Sequence, residues 1–454
     1  MSTVTQHPKQ PHELRSWLVC ITAASFFLYE FIQMLCLNSM NSDLMAAFHI
    51  NATELGWLSS VYFMSNVLFL FPAGQLIDRL PVKRLILIAM TLCICGTVAF
   101  AYSQQFTLAL IFRFITGIGS AFCFLCSMRL ASRWFLPHRM ALISGSIVTM
   151  AMLGGWLAQA PFAALVSLVG WRHALLFDAA FGAVLLSLII LVVREYPPEG
   201  SRTYETDHKQ LHQLGWTASM KKAYGRKQNW LCGIYTDFMN LPIFLLGGLW
   251  GGLYLMQIQH LPKIMATHVA GMLFLGTIIG APLVGFISDK LSRRKLPMFI
   301  GAIASLVLIA MLIYMQLNAT ALTIIFFLLG LTTSTQVLSY PTVTESNPHA
   351  LTAMSVSVVS FCVISGGAMF EPLFGWLMDL KWDHTIINGI NIYSNADLHR
   401  GLLIMPVAFI LAGLIIAAIR ETFCVPFEEQ KNDLTKDKMP RPNIKLTSNM
   451  VATE

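Results

Sequence analysis

The sequence predicts an all-α integral membrane protein, with twelve transmembrane helices in two pseudo-symmetric six-helix bundles. Three observations lead to that fold class. The chain is 56% hydrophobic and only 12% charged, whereas a soluble globular protein carries about 25% charged residues. Apolar runs of about 20 residues recur along it, the length a helix needs to cross a hydrocarbon core. A charged turn also occurs twice, as "AGQLIDRLPVKR" at 73–84 and "VGFISDKLSRRK" at 284–295. Gly74, Asp78 and Arg79 match Gly285, Asp289 and Lys290 at an offset of 211 residues in a chain of 454.

Taken in order, the apolar runs place spans at 17–40, 55–77, 84–103, 107–130, 140–165 and 172–193, then at 229–256, 267–288, 296–316, 320–341, 352–379 and 401–420. The first run is too long for the apolar core of a cleaved leader and is expected to remain as the first span. The one long polar interruption, 194–228, divides the spans into six and six. The organisation is therefore a tail at 1–16, a bundle at 17–193, a central loop at 194–228 with a short amphipathic helix near 211–223, a second bundle at 229–420, and a charged tail at 421–454.

Lysine and arginine set the orientation. With the N-terminus inside, the inside segments hold 25 of the 30 bases; Arg172, Lys263, Lys381 and Arg400 fall outside, and Arg113 lies within a span. That bias puts both termini in the cytoplasm, with the chain in the cell inner (plasma) membrane. It also accounts for the net charge of +7 without nucleic acid, which is excluded as a partner. The nine cysteines are scattered. Cys123 and Cys126 have metal-like spacing but no second pair and no histidines nearby, so neither a metal nor a cofactor is expected.

Two six-helix halves carrying one charged turn at corresponding places are the parallel repeat of a secondary transporter. The stretch Gly74–Arg84 resembles the loop between helices 2 and 3 of the major facilitator superfamily, with Pro81 where a second glycine is usual. "RFITGIG" (113–119) resembles that family's helix 4 motif, and "RWFLPHR" (133–139) and "GWR" (170–172) resemble its next two connections. "LWGGLYL" (249–255), "FEPLFGWLMD" (370–379) and the closing "RET" (420–422) resemble a bacterial branch distantly similar to the lysosomal dipeptide transporters. The resemblance covers nearly the whole chain. It implies the major facilitator fold and transport rather than catalysis.

Charged groups inside spans are costly enough to be functional candidates. Glu30 lies 13 residues past Trp17, about 20 Å along a helix rising ~1.5 Å per residue. Gln33 and Tyr29 lie on or beside its face. Arg113 falls at similar depth on helix 4, and the resemblance implies that helices 1 and 4 both line a central cavity. The functional reading makes Glu30 a proton or solute site tuned by Arg113; the structural one makes the two a permanent ion pair. In the second half, helix 7 carries Tyr235, Asp237, Asn240 and then Pro242, which can open a helix lining a cavity. Asp237 reads either as a second cavity acid or as a solvated group near the mouth. Glu371 precedes Pro372 in helix 11, with Gly366 and Gly367 allowing close helix contact nearby.

The repeated turn reads as a latch. The resemblance implies that Asp78 meets the start of helix 11, where a carboxylate faces the positive end of a helix dipole, with Arg79 and Arg84 pairing across the seam. Asp289, with Lys290 and Arg294, is expected to repeat this against helix 5 near Ala141. The expected function is secondary active or facilitative transport of a small polar solute, an amino acid, dipeptide or similar cationic or zwitterionic molecule, linked to protons and carried out by a monomer. The alternatives are efflux of organic anions or drugs, and a non-transporting membrane sensor on the same fold.

Overall fold

The computed structural model describes residues 13–135, 140–196, 221–348, 352–387 and 390–425. The first half comprises α1 (Glu13–Leu35), a 3-10 turn (Cys36–Ser39), α2 (Asn41–Phe48), α3 (Ala52–Arg79), α4 (Val82–Tyr102), α5 (Phe106–Ser120), α6 (Cys123–Trp134), α7 (Met140–Leu157) and α8 (Ala160–Val192). The second comprises α9 (Lys227–Pro242), a π-helical stretch (Ile243–Leu249), α10 (Gly251–Gln257), α11 (Lys263–Leu291), α12 (Lys295–Tyr314), α13 (Ala319–Thr333), a 3-10 turn (Ser334–Leu338), α14 (Ser339–Glu345), α15 (Thr352–Asp379), α16 (Asn395–Leu402) and α17 (Ile404–Ala418). A two-residue hairpin, β1 (Ile386–Ile387) with β2 (Ile390–Asn391), sits between α15 and α16.

Ten segments of the described residues are long and apolar enough to cross a membrane. One of them, Gly145–Val192, is 48 residues long and bends at Gly170. There φ is +78°, a backbone conformation that glycine reaches without a Cβ penalty. The loop expected around 166–171 is thus reduced to a kink, because one left-handed glycine turns the chain. Dividing that segment there and adding the 28 residues of α3 matches the twelve spans of the sequence. Spans 4 and 10 are each broken at the same place in the repeat, at Ala121–Phe122 and at Ser334–Leu338.

Local chemistry fixes the ends. Asn51 and Glu54 form a capping box at the start of α3, each side chain accepting the other's backbone N–H at 2.8–2.9 Å. Ser394 and Asp397 do the same for α16. The repeat also shows in a pair of glutamates. Glu195 accepts the N–H groups of Val82 and Lys83 at 2.9 and 3.0 Å, and Glu421 accepts those of Arg294 and Lys295 at 2.8 and 3.0 Å. Each satisfies the orphan donors at a helix N-terminus. The "RET" at 420–422 therefore has a structural duty, which "RE" at 194–195 duplicates.

The halves join on the face remote from both chain ends. There α3 runs antiparallel to α15 at close range. A Cβ on Gly56 would stand 2.6 Å from the Pro372 Cα, and one on Gly375 would stand 2.4 Å from the Ala52 carbonyl. Small residues at such points let helix backbones approach. Hydrogen bonds between the halves gather on this face. Asn38 accepts the Gly252 N–H at 2.8 Å, Asn41 donates to the Leu249 carbonyl at 3.1 Å, and Gln159 donates to the Gly247 carbonyl at 2.8 Å. Nearer the edge the Ala52 N–H meets the Tyr393 hydroxyl at 2.9 Å and the Thr53 N–H meets Asp379 at 2.8 Å. On the opposite face, positions Gly74, Gly145 and Gly285 have nothing of the described residues within 4 Å of where a Cβ would stand.

Candidate functional site

The site is built on α1. Phe26, Tyr29, Glu30 and Gln33 recur at three- and four-residue spacing, and all are buried, so one face of the helix turns inward. Glu30 is 3% exposed and Arg113, from α5, 2%. They make no ion pair: Tyr62 of α3 stands between them. Its hydroxyl donates to Glu30 Oε1 at 2.7 Å, and the Arg113 guanidinium lies 4.6 Å from its ring centroid. Arg113 Nη1 donates to the Gln33 carbonyl at 2.8 Å. Glu30 Oε2 and Arg113 Nε and Nη2 have no hydrogen-bond partner.

Glu371 reaches toward the same region from α15. It is wholly buried and neither carboxyl oxygen has a partner. A Cβ on Gly248 would stand 3.3 Å from Glu371 Oε1 and 3.2 Å from Leu35 at the end of α1, so Glu371 faces both the π-helical stretch and α1. Arg113 is near enough for its charge to act on Glu30 and Glu371 alike. Trp250 fixes the backbone here, donating to the Glu371 carbonyl at 3.3 Å and stacking on Phe374 with centroids 5.5 Å apart. Pro242 ends α9, and the π-helical stretch follows at once, as a missing N–H at that point allows.

Asp237 and Asn240 are both buried, yet Asp237 packs against α15 rather than joining this group. A Cβ on Gly366 would stand only 1.6 Å from Asp237 Oδ1, an atom with no hydrogen-bond partner. Tyr235 serves packing within its bundle, donating to Thr335 at 3.0 Å.

Several residues of the site were not singled out in the sequence. Tyr62 lies in an apolar run with nothing to mark it. Phe63 beside it packs on Phe244, 5.2 Å between centroids, and against Gly367, so it seals the two halves next to Glu30. Asp178 of α8 accepts from Gln33 Nε2. As a lone acid in "ALLFDAAFGAVLL" it carried the signal by which Glu30 was noticed.

The charged turns differ in what they show. Asp289 is 68% exposed and pairs with Arg294 at 2.7 Å, inside its own bundle. The contact expected with helix 5 near Ala141 falls on side chains outside the described ones. Arg294 also holds Glu345 at 2.7 Å. Burial works against its charge, but the bonds to Glu345 and Asp289 outweigh it and raise its pKa above the ordinary value. Lys290 and Arg84 are exposed, and the side chains of Asp78 and Arg79 lie outside the described ones. Among the described residues no group of three or more His, Cys, Asp or Glu is placed to hold a metal ion.

Comparison with known proteins fits this geometry. "Uncharacterized transporter YybO" of Bacillus subtilis (strain 168) is 26% identical over 199 residues, 44% of this chain and 45% of that protein. "Protein spinster homolog 1" of Xenopus laevis is 26% identical over 263 residues, 55% of this chain and 49% of that protein. The matched region thus spans about half the length of these relatives. Among solved structures, a bacterial homologue of the human lysosomal transporter Spinster, inward-facing and unoccupied, superposes with TM-score 0.74 at 17% identity, covering 91% of this chain and 98% of that one. A D-xylose–proton symporter superposes with TM-score 0.73 at 14% identity, covering 90% and 99%. These two show the fold alone. The sequence pattern of the Major Facilitator Superfamily matches residues 19–372, and the chain is a multi-pass membrane protein that belongs to that superfamily.

Proposed function

We propose that the chain carries a small zwitterionic or cationic organic solute, of amino-acid or dipeptide kind, across the membrane in exchange with or alongside protons. One observation carries this reading: buried ionic groups of both signs are left with free polar atoms in one region. They are Glu30 Oε2, both oxygens of Glu371, and Arg113 Nε and Nη2. An unsatisfied buried donor or acceptor costs about 1–3 kcal/mol, more when charged, so a ligand that completes these bonds is favoured. The free edge of Arg113 matches a carboxylate held by two parallel bonds, while Glu30 or Glu371 takes an ammonium group. Net acidity around one arginine favours a substrate carrying positive charge. Bundles that rock about this midplane site, with cytoplasmic termini and the Asp78 and Asp289 turns latching the opposite state, complete the cycle.

A second reading, transport of an organic anion, is favoured by the free edge of Arg113. It also fits a relative named "Probable galactarate/D-glucarate transporter GudP" in Bacillus subtilis (strain 168), 23% identical over 296 residues. Thermal stabilisation of the purified protein by amino acids, dipeptides and sugar diacids separates the two. Stabilisation by dipeptides that disappears in Glu30→Gln supports the first. Stabilisation by diacids alone, surviving in Glu30→Gln, supports the second.

A further inference from the structure

Asp178 lies eight residues beyond Gly170 in α8, about 12 Å along the helix at ~1.5 Å per residue, and it is 6% exposed. It is absent from the solute-facing group. Its carboxyl receives Gln33 Nε2. Near it are Tyr29 and Gln33 from α1, Cys36 from the 3-10 turn that follows, and Cys93 from α4. Arg113 of α5 reaches it only through the Gln33 carbonyl. Among the described residues no charged side chain of α7 or α11 acts on it.

Gln33 has a second partner, and that partner has a choice. Thr97 Oγ1 stands 2.8 Å from Gln33 Oε1 and also 2.8 Å from the Cys93 carbonyl. A hydroxyl has one proton, so it donates to one of them at a time. With Asp178 ionised, the Gln33 N–H turns to Asp178 and its oxygen accepts from Thr97. With Asp178 protonated, the amide turns over: its oxygen accepts from the new carboxyl O–H, and its N–H donates to Thr97, whose own proton moves to the Cys93 carbonyl. Gln33, Thr97 and the Asp178 oxygen that meets Gln33 are bonded in both arrangements, while the Tyr29 hydroxyl beside them has no partner. Glu371 differs, because neither of its oxygens meets an amide that could turn over in this way.

We propose that Asp178 is a proton-binding site separate from the solute site, with the Gln33 amide as the element that reads its charge. The step is simple: one proton from solvent joins the carboxylate to make a carboxylic acid, and only hydrogen bonds rearrange. Gln33 follows Glu30 by three residues on α1, and its carbonyl holds Arg113, so the reading passes directly to the solute site. The place of this site in transport rests on the proton-linked reading above; its titration does not.

The test uses the full chain in lipid vesicles without solute, followed by infrared difference spectroscopy as pH is changed. A carboxyl C=O band that titrates in the parent should vanish in Asp178→Asn and persist in Glu30→Gln. In Gln33→Met the band should remain with a displaced midpoint, because both arrangements lose their partner. An Asp178→Asn protein of unchanged melting temperature that keeps the band would overturn the proposal. If that variant does not fold, Asp178→Glu decides: a displaced frequency or midpoint of that same band upholds the proposal, and a band identical to the parent's overturns it.

Discussion

Glu30 and Arg113 meet on two sides of a single tyrosine, one at the hydroxyl of Tyr62 and the other over its ring face. The arrangement keeps opposite charges close without letting them neutralise each other. A direct buried pair would be a poor site, since its partners would already be satisfied. Held apart, each retains free atoms for a ligand.

Tyr62→Phe removes the hydroxyl but keeps the ring beneath Arg113. A hydrogen bond to a charged group contributes about 1.5–3 kcal/mol, so solute affinity should fall roughly tenfold or more. Calorimetric titration with a solute found in the stabilisation screen reads this directly. Unchanged affinity would reduce Tyr62 to a packing residue.

Glu30→Gln keeps shape while fixing charge. Uptake driven by a pH gradient should be lost, and solute counterflow should be partly spared. Loss of binding at every pH would instead mean that Glu30 only holds a cationic group. Normal affinity with normal pH dependence would leave it a structural neighbour of Tyr62.

The Arg294 cluster separates stability from gating. Arg294→Ala removes a buried cation from Glu345, and breaking such a pair costs about 3–5 kcal/mol, which should appear as a large drop in melting temperature. Asp289 is exposed, and a surface pair contributes about 0–1 kcal/mol, so Asp289→Asn should melt almost normally. Slow transport in that stable protein would support the latch; a wild-type rate would confine the turn to setting orientation.

Gly56→Leu places a side chain where even a Cβ would stand 2.6 Å from the Pro372 backbone. The halves should then fail to close on that face, and the population should shift toward the opposite conformer. Spin-label distances between Thr53→Cys and Asp379→Cys in a cysteine-free background would lengthen. Distances matching those of the parent would mean that α15 bends to accommodate the change.

Orientation is testable by impermeant thiol reagents on intact cells. In the same background, Lys222→Cys should be protected and Asp383→Cys should be labelled. The reverse pattern would invert the membrane orientation and with it both latch assignments.

The helical spans and the two-fold repeat were legible because they depend on periodic, additive signals: apolar length, base placement, and a turn that recurs. Glu30, Arg113 and Glu371 were visible because an ion in an apolar run is conspicuous. Tyr62 and Phe63 were not, since an aromatic residue in a membrane span matches its surroundings and only three-dimensional packing singles it out. The separation of Glu30 from Arg113 was equally hidden: helix rise sets depth along the membrane normal but not distance across it. Asp237 illustrates the same limit. Its place on helix 7, the counterpart of helix 1 in the repeat, marked it as a second cavity acid or a solvated group near the mouth, and nothing in the sequence signalled that it packs against Gly366.

The amides joining the halves have a consequence for ionic strength. Asn38, Asn41 and Gln159 carry no charge, and the ion pair of Lys263 with Asp43 at 2.5 Å, which also joins the halves, is partly exposed and so contributes little. Salt screens exposed charges over about 8–10 Å but leaves neutral bonds between dipoles nearly untouched. Opening of this face should therefore proceed at much the same rate in dilute and concentrated medium. The opposite face carries Asp289, Lys290, Arg293 and Arg84 in the open and would respond to the same change. Added electrolyte thus becomes a one-sided control, slowing or speeding a single half of the cycle.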